Sequence, residues 1–307
     1  MTVKEWYSAG KTATINNLGV FYRHSYLNLD INSDSVPNQH SNPGNRETLV
    51  CIHGFPTSSW DFEPIWEQLG QRFNVIANDL IGLGRSEKPS QPITVELQAT
   101  IIETLLNTLG IKKAHIFAHD LGDTVAQELL ARQAEGSSTI EWQSCVFLNG
   151  GLFPETHRPR LVQKLLASPL GPLLASLSSE RTFHKTMTNL FSTENPPTKE
   201  FLTESWKLLI ENNGRAMMPR LLRYMEERRV NRTRWVSPME NPVVPLRLIN
   251  GIQDPISGLH AAERYREVVA NADIVLLEQA GHYPHVENPE EVLGAFFEFH
   301  DNKERVD

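Results

Sequence analysis

The segment Ala114-His115-Ile116-Phe117-Ala118-His119-Asp120-Leu121-Gly122 runs an apolar strand pattern into small-x-Asp-x-Gly and then into a helical pattern. Small residues around such a turn let a tight, strained backbone present its central side chain alone, the arrangement of a nucleophile elbow. Here the central side chain is the carboxylate of Asp120, and Gly-x-Ser-x-Gly occurs nowhere in the chain. A helix beginning directly behind the turn favours the ionised carboxylate through its N-terminal dipole. An Asp at a strand-to-helix turn is also an ordinary N-cap, so the turn alone does not decide its role. Asp123 is the better first-turn acid and is read as structural.

Three more elements change the balance. His53-Gly54-Phe55-Pro56 follows a short apolar run, and the backbone N–H of Phe55, with that of Leu121 behind the nucleophile, would make an oxyanion hole. Alone it is a common Gly-Pro strand exit. Asp254, in Asn250-Gly251-Ile252-Gln253-Asp254-Pro255, and His282, in Gln279-Ala280-Gly281-His282, each sit on the loop after a strand-like run. A lone Asp-Pro merely turns the chain, but the chain order nucleophile, acid, histidine is the one a nucleophile-elbow hydrolase requires. His285 is read as supporting its loop. A metal site from His282, His285 and Glu287 is not expected, because no matching ligand cluster accompanies it. Gly82 and Gly84 do not make a nucleotide loop, since Glu87 stands where a third glycine is needed. No cofactor is expected.

The elements that must position these residues are readable from periodicity. Ala13–Asn17 and Val20–Tyr26 read as a hairpin turning at Asn17-Leu18-Gly19, and a polar loop runs from Asn32 to Glu47. Strand and helix patterns then alternate: strands at Thr48–His53, Phe73–Ala77, Ala114–Ala118 and Trp142–Leu148, helices at Ser59–Leu69, Val95–Leu109 and Leu121–Arg132. From Phe153 to Pro242 only helical patterns and Pro-rich joints occur. Alternation resumes with Val244–Ile249, a helix near Ala261–Val269, Asp273–Leu277 and a closing helix near Glu290–His300. This predicts a mostly parallel sheet covered on both faces. A helical insertion after the sixth parallel-type segment would lie above the carboxyl ends of the strands, where such sheets bind ligands. The division is thus core at 1–152, helical cap at 153–242 and core again at 243–307. With 307 residues, 40% hydrophobic and a formal charge of −8, the chain can bury a large core and is poorly suited to a phosphate backbone. The first residues show neither signal peptide nor anchor. Cys51 and Cys145, both in apolar segments, read as buried thiols of a cytoplasmic protein.

The runs His53-Gly54-Phe55-Pro56, Asp79-Leu80-Ile81-Gly82-Leu83-Gly84-Arg85-Ser86, His119-Asp120-x-Gly122 and Gly281-His282-x-Pro284-His285 together resemble the epoxide hydrolase and haloalkane dehalogenase branch of the α/β-hydrolases. The resemblance covers nearly the whole chain outside the cap. It implies the α/β-hydrolase fold, an eight-stranded, mostly parallel sheet with helices on both faces and a helical cap. Asn149-Gly150-Gly151-Leu152-Phe153-Pro154-Glu155-Thr156-His157-Arg158-Pro159, His53–Ser59 and Val125-Ala126-Gln127-Glu128-Leu129-Leu130 further resemble mesoderm-specific transcript-type hydrolases. The N-terminal membrane segment of the vertebrate members has no counterpart here, so no membrane partner is expected.

An Asp nucleophile selects the reaction. Attack on an acyl carbon would give a mixed anhydride, whereas attack on an sp³ carbon bearing an epoxide oxygen or halide gives an alkyl ester. Water activated by His282, oriented by Asp254, then hydrolyses that ester. In the dehalogenases of this branch Asn follows His-Gly and Trp follows the nucleophile; here Phe55 and Leu121 stand there, so that halide cradle is missing, and Phe55 with Pro56 is the epoxide-hydrolase form. The epoxide hydrolases carry cap acids, commonly two tyrosines. Tyr224 is the candidate, with His184 or His157 as a second donor, against the plainer readings of a packing tyrosine and surface histidines. Arg215, Arg220, Arg223, Arg228, Arg229, Arg232 and Arg234 read as a solvated helix face. The leading expectation is an epoxide hydrolase acting on a small apolar molecule, with a homodimer as one oligomeric option. The alternatives are a dehalogenase whose halide site uses Trp206 or Trp235, and a ligand-binding protein with little turnover.

Overall fold

One sheet of eight strands runs in the spatial order β1-β2-β4-β3-β5-β6-β7-β8, where β1 is Lys11–Ile15, β2 Leu18–His24, β3 Thr48–Ile52, β4 Asn74–Asn78, β5 Lys113–His119, β6 Glu141–Leu148, β7 Leu246–Gly251 and β8 Ile274–Leu277. The computed structural model describes residues 1–25 and 46–303. Tyr26 and most of the expected loop from Asn32 to Glu47 lie outside these. β1 and β2 pair antiparallel, β2 meets β4 antiparallel, and the other six strands are parallel. The expected sheet is therefore present, but the insertion follows the fourth parallel strand, β6, and not a sixth, because β1 and β2 enter the sheet by antiparallel pairing.

The parallel strands at the centre are the apolar runs of the sequence. β4 is buried at every position, and β3 is buried from Leu49 onward, as strands covered on both faces must be. Helices Val95–Thr108 and Leu121–Ala134 pack together, and Glu63–Arg72 packs with Pro289–Lys303. The ring of Phe117 on β5 meets Phe296 at 4.5 Å and Phe62 at 5.8 Å. Burying an aromatic side chain of this size contributes about 1.5–3 kcal/mol.

Local differences from expectation have local causes. The hairpin turns at Asn16-Asn17, both with positive φ (49° and 63°), as a two-residue turn between twisted strands demands. Ser59–Phe62 is a 3₁₀ turn, and the α-helix starts only at Glu63. β7 begins after Pro245, which has no N–H to give a ladder. Asp79, at the end of β4, holds two loops at once. Its carboxylate accepts from the Ser59 N–H at 2.9 Å, the Tyr7 hydroxyl at 2.9 Å and the Arg85 N–H at 2.7 Å. The Asp79–Ser86 run is thus a brace beneath the His53–Pro56 loop.

Between Leu148 and Leu246 the chain forms only helices, from Leu161–Leu166 to Arg232–Glu240. The arginines there are not one solvated face. Arg220 bonds the carbonyls of Pro89, Ser90 and Gln91, Arg232 pairs with Glu155, Arg234 with Glu128 and Glu135, and Arg228 is 2% exposed. Arg220, Arg228 and Arg234 stitch the helical segment to the sheet-bearing part, while Arg232 pairs within the segment, so their charge is used against specific partners. Among the described residues no helix is long and apolar enough to cross a membrane. Cys51 and Cys145 are buried, unbonded thiols.

Candidate active site

β5 delivers Asp120 onto a turn with φ 52° and ψ −106°, directly before helix Leu121–Ala134. A non-glycine residue in this region costs about 1–3 kcal/mol and persists only where its surroundings enforce it. Two glycines make the room. A Cβ on Gly54 would lie 2.6 Å from the Asp120 Cβ, and one on Gly122 would collide with the Ile52 carbonyl oxygen. Neither carboxylate oxygen of Asp123 has a hydrogen-bond partner among the described residues. It sits in the first turn, buried against Gly150, with burial holding its carboxyl well above the usual range.

The four predicted elements converge. The Phe55 N–H donates to Asp120 Oδ1 at 2.9 Å. His282 Nε2 lies 3.4 Å from Asp120 Oδ2, and His282 Nδ1 lies 2.7 Å from Asp254 Oδ2. Leu121 opens the helix, so its N–H has no acceptor within it. Burial alone would lower the His282 pKa, but the charge of Asp254 and the bond to Asp120 outweigh it and push the imidazole up to about 10. Burial likewise opposes ionisation of Asp120, yet the His282 bond and charge and the Phe55 N–H hold its carboxyl far below the usual range. The resting site is therefore an imidazolium between two carboxylates.

Supporting residues escaped sequence reasoning. Asn149, at the end of β6 with φ 41°, donates to Asp254 Oδ2 and to the Gly251 carbonyl, both at 3.0 Å, and accepts the Gly251 N–H at 2.7 Å. Ser257 Oγ lies 2.7 Å from the same Asp254 oxygen, and the Ile256 N–H meets Asp254 Oδ1 at 2.7 Å. The only advance signal was the position of Asn149 at a strand's carboxyl end. Glu287 accepts the N–H groups of Ser192, Gly281 and Tyr283 at 2.7, 2.8 and 2.9 Å. The His282 N–H bonds the Leu190 carbonyl at 2.8 Å. Glu287 is thus a backbone clamp and not a partner of His282 in a metal set.

A different trio does come together. Asp61, His119 and His285 are buried, with one potential ligand atom each within 4.8 Å of the others. His119 gives its Nε2–H to the His282 carbonyl at 2.7 Å, which leaves Nδ1 as an acceptor. These three are the residues that could hold an ion, against the expectation that no such cluster exists. Burial pushes the Asp61 carboxyl up and both imidazoles down.

A cavity of about 290 Å³ opens onto Phe55 and His282, walled mainly by Leu166, Leu174, Phe183, Met187, Trp206 and Met218. His184 does not reach it: its helix turns Phe183 and Met187 to the cavity while His184 faces Glu180 at 3.5 Å. Tyr224 is 2% exposed with a hydroxyl that bonds nothing among the described residues. Burial first, and the charge of Asp120 second, raise its pKa, so the hydroxyl keeps its proton. The Arg228 guanidinium stands 4.8 Å from its ring centroid and donates to Thr124 Oγ1, on the first turn behind Asp120. Arg228 Nη1 also approaches His157 Nδ1 at 3.4 Å. Since Arg only donates, His157 carries its proton on Nε2, which is buried and unbonded among the described residues. Trp235 gives its N–H to Glu128 at 2.7 Å, which removes it from any halide site; Trp206 remains on the cavity wall.

Residues 49–295 match the model of the alpha/beta hydrolase family. The chain is 37% identical to the mesoderm-specific transcript protein of Mus musculus over 303 residues, 96% of this chain and 86% of that one. It is 34% identical to the hydrolase LipZ of Mycobacterium tuberculosis over 252 residues, 81% of this chain and 86% of the relative. Among solved structures, the epoxide hydrolase CorEH superposes with a TM-score of 0.74 at 19% identity, over 94% of this chain and 97% of that one.

Proposed function

The chain belongs to the alpha/beta hydrolase family, and from that premise we propose that it is an epoxide hydrolase working through an ester of Asp120. Residues 153–242 then act as a cap over a core formed by 1–152 and 243–307. The observation that carries this reading is the ionised Asp120 on a strained turn, with one oxygen held by Phe55 and the other facing His282.

In the first step Asp120 Oδ2 attacks an epoxide carbon and the C–O bond breaks. The departing oxygen takes a proton from Tyr224, whose anion is stabilised by Arg228, with His157 Nε2–H as a second donor. Ester formation removes the Asp120 charge that helped hold the proton on His282. The imidazolium then releases that proton, returning Tyr224 to its neutral form. In the second step neutral His282 takes a proton from water as the water attacks the ester carbon. The oxyanion develops on Oδ1, against the N–H groups of Phe55 and Leu121. Collapse expels the diol oxygen, which takes its proton from His282. The proton left on the Asp120 carboxyl returns to the imidazole as the ion pair re-forms.

A single turnover in ¹⁸O-water tests the ester. The first diol released is expected to contain no ¹⁸O, and the label is expected in the Asp120 peptide. Label in the diol and none in Asp120 would mean direct attack by water and would overturn the reading, as would no turnover across a broad epoxide panel. Tyr224→Phe is expected to slow epoxide opening about 10²-fold while ester hydrolysis keeps its rate. Rapid-quench measurement separates the steps, and an unchanged opening rate would remove Tyr224 from the role. The position of Trp206 on the cavity wall favours haloalkanes as the second reading, recognised by halide release from the same panel format.

A further inference from the structure

Nine large hydrophobic side chains stand exposed among the described residues, and five of them are leucines between 161 and 177. Leu161, Leu170, Leu173 and Leu177 are 71, 62, 59 and 70% exposed. They project from two short helices, Leu161–Leu166 and Gly171–Ser176, and the turns beside them; the two helices pack on each other. The same stretch departs from the rest of the chain in charge. Residues 156–190 hold Arg158, Arg160, Lys164, Arg181 and Lys185 against the single acid Glu180, a net of +4 (5 − 1) in a chain of formal charge −8. All five cations are exposed, and none makes an ion pair among the described residues. The pattern contrasts with Arg220 and Arg234, which are bound to the core, and with Arg232, which is paired with Glu155.

The leucines and cations also border the mouth of the cavity. An open groove carries Arg158, Arg160 and Lys185 beside Leu161 and Leu165. Arg160, Val162, Leu165 and Thr186 line both this groove and the apolar cavity that leads to His282. Apolar side chains ringed by unpaired cations suit the boundary of an anionic bilayer, where leucines enter the acyl region and Lys and Arg meet phosphate headgroups.

We propose that the Leu161–Leu177 face docks on an anionic lipid surface, which sets the cavity mouth against the membrane and lets an apolar substrate pass from the bilayer to His282. No spanning helix is needed, and the proposal holds for either leaving group. It departs from the expectation that the protein has no membrane partner.

The test is co-sedimentation of the full chain with vesicles of phosphatidylcholine alone, or with about a third of it replaced by phosphatidylglycerol. Binding is expected to the anionic vesicles, about tenfold weaker to the neutral ones, and reversed by about 0.5 M salt. The double variant Leu170→Glu/Leu173→Glu, at positions that line neither cavity nor groove, is expected to lower binding at least about tenfold at an unchanged thermal midpoint. Arg158→Glu/Lys185→Glu should weaken binding to anionic vesicles specifically. Val230→Glu, an equally exposed site elsewhere, should leave binding intact. Native protein that ignores anionic vesicles, or binding that survives the leucine double variant, overturns the proposal. Dimerisation abolished by the same variant, with no vesicle binding, also overturns it and assigns the face to a second copy of the chain.

Discussion

His282→Gln is expected to stop the enzyme after a single alkylation, leaving Asp120 as a stable ester that intact mass measurement reads as substrate added to protein. Steady turnover should fall about 10³-fold or more, because water then has no base while the oxyanion donors remain. Glutamine is uncharged, so the variant also removes one support of the Asp120 anion; the Phe55 N–H is retained. An epoxide adduct keeps the substrate's full mass, whereas a haloalkane adduct lacks the halogen and appears with free halide. The same step separation gives a pH test in the native enzyme. Asp120 is held far below the usual carboxylate range, so alkylation should be flat over about pH 5–8. Hydrolysis needs the neutral imidazole, so it should rise with pH through the His282 pKa of the ester form. That value lies below the free enzyme's, about 10, because the ester carries no charge where Asp120 did. Hydrolysis that falls as pH rises would contradict the assignment of His282 as base.

The second large effect is steric. Gly122→Ala places a Cβ against the backbone carbonyl of Ile52, and no side-chain rotation relieves a clash with backbone. β3 and helix Leu121–Ala134 must separate, so the variant should lose at least about 3 kcal/mol, near the top of what one substitution costs. In a chain of this size that is a fall of about 5–10 °C in Tm, together with loss of activity as Asp120 moves. Gly294→Ala is the matched control. Its Cβ meets nothing within 4 Å, and it sits inside helix Pro289–Lys303, where replacing glycine stabilises by about 0.5–1 kcal/mol. Scanning calorimetry of both should show opposite signs; similar shifts would mean the turn tolerates a side chain.

The convergence of Asp120, Asp254 and His282 was legible because each stands on a loop directly after a strand, flanked by residues whose smallness has a steric reason. Strand positions were legible for the same reason the sheet is stable: central parallel strands are unbroken apolar runs. Asn149 and Ser257 were not legible, because their role is to bond a neighbouring loop's carboxylate, and no local pattern announces that. Arg228 was misread because a run of arginines looks the same whether it faces water or a buried Thr124 and Tyr224. His184 was drawn toward the site by residue type, while its phase on helix Glu180–Thr188 puts Phe183 and Met187 on the cavity side instead. The helix Val3–Ser8 carried a readable capping box, Thr2 with Glu5, but six residues are too few for apolar periodicity to appear. The Asp61, His119 and His285 trio joins a 3₁₀ turn, the last residue of β5 and the short helix Pro284–Glu287, distant in sequence, so only folding brings it together.

The clamp at Glu287 bears on how freely such a chain can be recombined. Its carboxylate binds the N–H of Ser192 along with those of Gly281 and Tyr283, and the Leu190 carbonyl binds the His282 N–H. The proton-handling loop is therefore shared property of two stretches more than 80 residues apart, one of them inside the helical insertion. Exchanging the whole insertion for that of a relative would transplant a new substrate wall but also remove the backbone on which the imidazole rests. A chimera that keeps Leu190–Ser192 and changes only the helices before it should retain the host's chemistry while accepting the donor's range of substrates.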